Sequence, residues 1–459
     1  MGLAYKRVQL TRGQGLEVTP MSSASAHTVV VGLRCTVCGT RVDISTPFTW
    51  TCPHSSSTDR HHVFRFESEL EPFRPVEHSN PFVAYRRYLA VDALGAGLGL
   101  SDQQRIDVIE KTDEAIARVY GVGFLVTPFV REDALSDALD FMDNGGIWVK
   151  DETRNVAGSH KARHLFTELL HLLMIEVAGR APWTLNSRPS LAIASCGNAS
   201  IAASTLAAAV QWPITVFVPV AVEPSVMTTL TALGADVRVC PRLDSDQPGD
   251  PCVHRFRESV ANGSLAFGVQ GTENAWCLDG GRTIGWEMLT ATEIPMDRIF
   301  IQVGGGALAS CVGESMNQVG IHPRLHAVQA AGCAPLSRAW DRALATGGTR
   351  NAGSRWGDIM WPWEVEPSSL ADGILDDETY DWIGVVDSMT DTGGWPVVAS
   401  EENIIRAWEL ATTATSINVS PTGAAGLAGV LEMRHHIGDD ERIAVVFSGV
   451  ARSRLPLSR

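Results

Sequence analysis

The stretch "IFIQVGGGALAS" (299–310) decides the fold. An apolar run of strand length ends in three glycines, and these open into small residues of helical composition. A strand that stops in a glycine turn and continues as a helix is the repeating unit of an open α/β sheet. The same grammar extends on both sides. "IWVK" (147–150), "LAIA" (191–194), "ITVFV" (214–218), "VRVC" (237–240), "HAVQA" (326–330) and "IAVVF" (443–447) are short, apolar and rich in Val or Ile. Between them lie helical stretches such as "KARHLFTELLHLLMIEVAG", "NASIAASTLAAAV" and "VEPSVMTTLTALGA". Apolar strands without clean alternation are buried on both faces, so the expectation is an α/β chain with open, mostly parallel, twisted sheets covered by helices.

The bulk numbers agree with an ordinary globular chain. It has 459 residues, 45% hydrophobic and 19% charged, and a formal net charge of −15. Such a balance argues against a nucleic-acid or anionic-membrane partner, because both need a basic patch. The most apolar run, "SIAASTLAAAVQWPITVFVPVAV", is interrupted by Gln211, Pro213 and Pro219 and reads as helix, turn and strand rather than a membrane span. The first twenty residues lack an apolar signal core, and nine scattered cysteines do not look like a disulfide framework, so a cytoplasmic protein is expected. Four segments are expected: a flexible 1–26, a Cys/His-containing extension at 27–80, a smaller α/β domain at 81–271 and a larger one at 272–459.

The chemistry sits in the turns. "LAIA" is followed by "SCGNAS", "IFIQV" by "GGGALAS" and "IAVVF" by "SGVAR". The first two open into helices, where free N–H groups and the helix field make anion sites. In "NVAGSHKARH" (155–164), Gly158 suits a turn and Ser159 an N-cap, which puts Lys161 in the first helical turn. The helix field there disfavours an ammonium whose ordinary pKa is about 10.4. A lysine that forms a Schiff base must be deprotonated. One such lysine, one phosphate cradle and one carboxylate cradle together point to pyridoxal 5'-phosphate.

Taken in order, "VKDETRNVAGSHKAR", "SCGNAS", "TENAWCLDGGRTIGWE", "VGGGALAS" and "FSGVA" resemble the fold-type II pyridoxal-phosphate enzymes. This is the group of threonine synthase, serine/threonine ammonia-lyases, cysteine synthase and the tryptophan synthase β subunit. The resemblance covers roughly residues 120–450 and implies two sheet domains and, usually, a homodimer. It implies that Lys161 holds the cofactor and that Asn198 hydrogen-bonds the cofactor's ring oxygen. Ser195, Cys196, Gly197, Asn198 and Ala199 would receive a substrate carboxylate; Gly304, Gly305, Gly306, Ala307 and Leu308 would cradle the phosphate; Ser448 would face the pyridine nitrogen. A neutral hydroxyl there favours elimination or replacement over transamination. His160, as in the tryptophan synthase β subunit, suggests an added phosphate contact. "K-A-R" after His160 and "S-G" at 448–449 lean toward the ammonia-lyases, and the Cys-bearing N-terminal segment toward threonine synthase.

The expected activity is therefore elimination or replacement on a hydroxy- or O-phospho-amino acid, as in threonine synthase or a serine/threonine ammonia-lyase. The alternatives are a β-replacement synthase of the cysteine, cysteate or tryptophan type that uses a second nucleophile, and a non-catalytic scaffold or sensor that keeps the fold. Separately, "CTVC" and "TCPH" bring Cys35, Cys38, Cys52 and His54 into a spacing suited to structural zinc, with His61 or His62 as substitutes for His54. The tryptophan cluster "WGDIMWPWE" (356–364) is expected to pack rather than to bind.

Overall fold

The computed structural model describes residues 28–69, 71–244, 246 and 249–452, so the expectation for 1–26 lies outside the described residues. Every strand expected above is present, within two residues of its reading. The larger sheet has six strands, in the spatial order Val397–Ala399, Arg324–Ala330, Arg298–Gln302, Arg442–Phe447, Gly146–Asp151 and Phe129–Arg131. All neighbours run parallel except the last pair. The smaller sheet is wholly parallel, in the order Asp236–Val239, Ile214–Val218, Leu191–Ala194 and Leu265–Ala266.

A cut at residue 271 does not follow these sheets. Gly146–Asp151 is buried at every position, which requires cover on both faces and partners on both edges. It finds them between Arg442–Phe447 and Phe129–Arg131, in the larger sheet. The smaller sheet is thus an insertion between two parts of the larger one. Phe129–Arg131, Leu265–Ala266 and Val397–Ala399 carry two or three residues each and are too short to show a period.

The N-terminal extension forms a three-stranded antiparallel sheet, Arg41–Asp43, Val30–Cys35 and Phe64–Ser68 in spatial order. It is part of the main core, not an appendage. Leu33, Phe64 and Phe66 are buried in one cluster with Phe82, Leu165 and Trp276. The Trp276 indole donates to the Thr49 carbonyl at 2.8 Å.

The helix Lys161–Val177 begins at the expected lysine, but Ser159 does not cap it. Ser159 is extended (φ −163°, ψ 163°) and pairs with Gly449, while His160 takes the cap position. Gly158, at φ +67°, makes the turn, and a side chain there would strike Val450. What fixes this helix instead is a buried ion cluster. Arg163 donates to Glu152 at 2.8 and 2.9 Å and also pairs with Glu287, which binds Lys150 from the far side. Two cations and two carboxylates balance with none of the four side chains exposed. This ties the larger sheet to Lys161–Val177 and to the helix Cys277–Ala291.

Candidate active site

Three turns meet where the strands end, as open α/β sheets place their ligands. They surround a cavity of about 460 Å³. Lys161, the turn 195–199, the turn 304–308 and Ser448 all line it. Every residue singled out for cofactor or substrate in the sequence is therefore brought to one place, and the long helices between them stay outside.

The Lys161 side chain opens on this cavity. Loss of hydration pushes its pKa below the ordinary lysine value, and the carboxylates of Asp376 and Asp381 pull it partly back. Beside it, His164 Nδ1 lies 2.8 Å from the Cys277 carbonyl, so that nitrogen carries the hydrogen and Nε2 is left to accept. His160 Nδ1 lies 3.2 Å from that Nε2 and must donate to it. The second nitrogen of His160 is then an acceptor. Burial, with Lys161 and further cations nearby, keeps His160 well below the usual histidine pKa, and His164 is pushed down to about 3. A neutral His160 in this tautomer offers no N–H to a phosphate.

The turn 304–308 is tightly packed at its start. A side chain on Gly304 would strike the Asp376 carboxylate, and one on Gly305 would come within 3.2 Å of the Tyr380 ring. Gly306 has φ +97° and leads into the helix Ala307–Gln318, whose first N–H groups have no intrahelical partner. The turn 195–199 is built likewise, with Gly197 at the cap of the helix Asn198–Ala209. Asn198 Oδ1 accepts from Arg452 at 3.0 Å, which leaves its amide N–H₂ as the donor. A side chain at Gly449 would come within 2.8 Å of that nitrogen and displace it.

Ser448 is oriented by a residue the sequence reading missed. Gln302 Nε2 donates to Ser448 Oγ at 2.6 Å and lies 2.8 Å from the Gly423 carbonyl and 3.1 Å from that of Val446. The two carbonyls fix which end of the amide faces Ser448. The serine oxygen accepts from Gln302, so its own hydrogen is directed elsewhere and the hydroxyl can donate to a ring nitrogen. The available signal was a glutamine inside the apolar run "IFIQV". Asp376, Asp381 and Tyr380 were missed as well, because "ADGILDDETYDW" carries no glycine turn of the expected kind. Asp381 is buried near Lys161, and Asp376 is half-buried beside it on the cavity lining. Loss of hydration raises Asp376 to about 6 and Asp381 to about 7, and Gly271 N–H donates to both Asp381 oxygens at 3.1 and 3.2 Å.

The charge of the lining is one-sided. Asp250, Glu273, Asp372 and Asp376 line the cavity, Glu273 paired with Arg257 at 2.6 Å, and among the described lining residues Lys161 is the only lysine or arginine. Arg163 is locked in the ion cluster, and Arg154 is exposed beside Asp151 at 3.3 Å. Cys196 is an exposed free thiol on the turn 195–199. In the extension, the structure gathers Cys35, Cys38 and Cys52 with His62 rather than His54. His54 is exposed, with Nδ1 3.0 Å from Thr40 Oγ1 and 3.5 Å from Cys38 Sγ.

Over residues 122–449, well over half of its length, the chain matches the family described as pyridoxal-phosphate dependent enzyme. The chain belongs to this family. A threonine synthase of Methanocaldococcus jannaschii is 24% identical over 186 residues, covering 38% of this chain and 42% of that one. The match thus spans less than half of that relative. Among solved structures, serine racemase from maize superposes with a TM-score of 0.57 at 19% identity, covering 75% of this chain and 94% of that one. A threonine deaminase from tomato, Solanum lycopersicum, gives 0.57 at 17% identity, covering 76% and 90%. At such identities the superpositions speak for the fold.

The residues of this pyridoxal-phosphate family member fit the cofactor. Three consecutive glycines leave the space that a side chain would fill, an amine of lowered pKa stands beside them, and a neutral hydroxyl donor faces the same cavity. Among the described residues no helix is long and apolar enough to cross a membrane.

Proposed function

We propose that this enzyme carries out elimination on a small amino acid with a hydroxyl or other neutral or cationic side-chain leaving group, in the manner of a serine/threonine ammonia-lyase. Pyridoxal phosphate, when bound, supplies the electron sink that makes the Cα–H of an amino acid acidic. The chain supplies the rest. Lys161 Nζ, whose pKa burial lowers, accepts the Cα proton. The N–H groups of the turn 195–199 hold the substrate carboxylate, and those of the turn 304–308 hold the cofactor phosphate. The Asn198 amide donates to the ring oxygen. Ser448, turned by Gln302, donates to the ring nitrogen and so leaves that nitrogen unprotonated, which disfavours transamination.

The single observation that carries the choice of substrate is the acidic lining with no arginine. A phosphate leaving group in this lining meets carboxylates and no arginine, so an O-phospho substrate of the threonine-synthase kind is disfavoured. The test is a substrate panel with product identification by mass. L-serine, L-threonine and a 2,3-diamino acid should yield an oxo acid and ammonia, and O-phosphohomoserine should be left intact. Phosphate release from O-phosphohomoserine with no oxo acid from the others would overturn the reading. Turnover only with an added nucleophile would assign a β-replacement synthase, and formation of the D-isomer a racemase.

A further inference from the structure

We infer that Cys35, Cys38, Cys52 and His62 bind a structural zinc ion, and that this ion holds the segment that clamps one wall of the active-site cavity. The ligand atoms, three Sγ and one imidazole nitrogen, all lie within 4.8 Å of one another. Cys38 Sγ and Cys52 Sγ are 3.6 Å apart, and Cys35 Sγ and His62 Nδ1 are 3.4 Å apart. A tetrahedron with Zn–S of about 2.3 Å and Zn–N of about 2.0 Å has edges of about 3.5–3.8 Å, so these separations are the edges zinc needs. They are far too long for a disulfide, whose sulfurs sit about 2.05 Å apart. Three thiolates and an imidazole select zinc over magnesium or calcium, which take oxygen ligands. On binding, three Zn–S bonds and one Zn–N bond form, and the thiol protons pass to water.

The local chain is shaped for this. Cys35 ends the strand Val30–Cys35, and Gly39, at φ +72°, turns the chain so that its N–H donates to the Cys35 carbonyl at 3.1 Å. Cys38 is thereby folded back beside Cys35. Cys52 and His62 come from later passes of the chain, so the ion would join three segments. His62 Nε2 lies 3.0 Å from an Asp59 carboxylate oxygen, close although not aligned as an ideal hydrogen bond. A carboxylate on that side keeps the hydrogen on Nε2 and frees Nδ1 to ligate, which is the usual outer arrangement of a zinc-bound histidine.

The same short segment reaches the active site. Asp59 also accepts from the Trp356 indole at 2.5 Å. His61 packs at a tilt against Trp356, centroids 4.6 Å apart, and its Nε2 lies 3.3 Å from a Glu378 oxygen. Arg60 pairs with Glu378 through its guanidinium. Glu378 is two residues from Asp376 and two from Tyr380, both of which line the cavity. Arg60 and His61 therefore grip the 376–380 wall through Glu378, Asp59 holds Trp356, and the Cys/His cluster would fix residues 52–62 at both ends.

The test uses the full chain in reducing buffer. Metal analysis of protein grown with zinc should find one zinc per chain. The metal-stripped protein titrated with cobalt(II) should develop tetrahedral d–d bands and thiolate charge-transfer absorption. The His62→Ala variant should lose the metal and His54→Ala should keep it. Hydrogen exchange in residues 372–381 should rise on chelation and fall again on adding zinc. A chain that neither carries zinc nor gives the cobalt spectrum overturns the site, with no variant needed. Loss of metal from His54→Ala but not from His62→Ala overturns the ligand set. Exchange in 372–381 that ignores the metal overturns the clamp. These readouts do not depend on the substrate, so they stand or fall apart from the proposed reaction.

Discussion

Replacing Asp376 by Asn should stabilise the cofactor-free protein, and by an amount that grows with pH. The half-buried carboxyl stands beside the phosphate turn, where a side chain on Gly304 would meet it, and loss of hydration raises its pKa from 3.8 to about 6. For a group whose folded pKa is raised, the stability it contributes is fully present below the unfolded pKa and is lost as pH rises through the folded one. A rise from 3.8 to about 6 corresponds to about 3 kcal/mol once both states are ionised. Asparagine has nearly the same shape and no charge to desolvate. The variant should therefore exceed the parent by about 1.5 kcal/mol at pH 5 and about 3 kcal/mol at pH 8. These are upper values, since Lys161 loses a nearby counter-charge. The assay is equilibrium urea unfolding of both proteins, followed by tryptophan fluorescence from pH 5 to pH 8. In parallel, the variant should bind pyridoxal phosphate more tightly at pH 8, because the cradle no longer presents a second anion. A stability difference that is flat with pH, or a parent more stable than the variant at pH 8, would refute the reasoning.

Other consequences can be measured alongside. Lys161→Ala should leave the cofactor-treated protein without the visible absorbance of the parent and without turnover; retention of both would dismiss the lysine. Ser448→Asp should protonate the ring nitrogen and divert turnover toward transamination, seen as pyridoxamine phosphate by chromatography; Gln302→Leu, which removes only the orienting amide, should lower kcat more than cofactor affinity. Glu287→Ala leaves Lys150 and Arg163 buried with one carboxylate between them, so calorimetry or urea unfolding should register a loss of about 3–5 kcal/mol. Gly306→Ala forces a side chain into φ +97° and to 2.9 Å from Thr379, costing about 1–3 kcal/mol, and should weaken phosphate retention.

How much of this is written in the sequence depends on how local each cause is. "IFIQVGGGALAS" and its fellows announce strands, turns and helix starts because apolar runs and glycine turns act within a few residues of themselves. The lysine, the two anion turns and Ser448 are legible for the same reason, and the structure brings them to one cavity. Errors arise where partners are distant in the chain. Order along the chain assigns Gly146–Asp151 to the smaller domain, yet it pairs in the larger sheet with Phe129–Arg131 and with Arg442–Phe447, the latter almost three hundred residues later. Ser159 reads as a cap from its neighbours, but its pairing with Gly449 holds it extended. His54 is the nearer candidate for the Cys cluster in sequence, while His62 is carried there by the strand Phe64–Ser68.

The sequence by itself determined the fold class, the order of the glycine-bearing turns and the lysine expected beside them, since apolar runs, turns and helix starts act over a few residues. Only the tertiary structure decided which way Ser448 points, how acidic the cavity is, and that the cysteine sheet leans on its wall. Those depend on Gln302, Asp376 and Glu378 arriving from separate segments, and long-range convergence leaves no period in a chain for the eye to find.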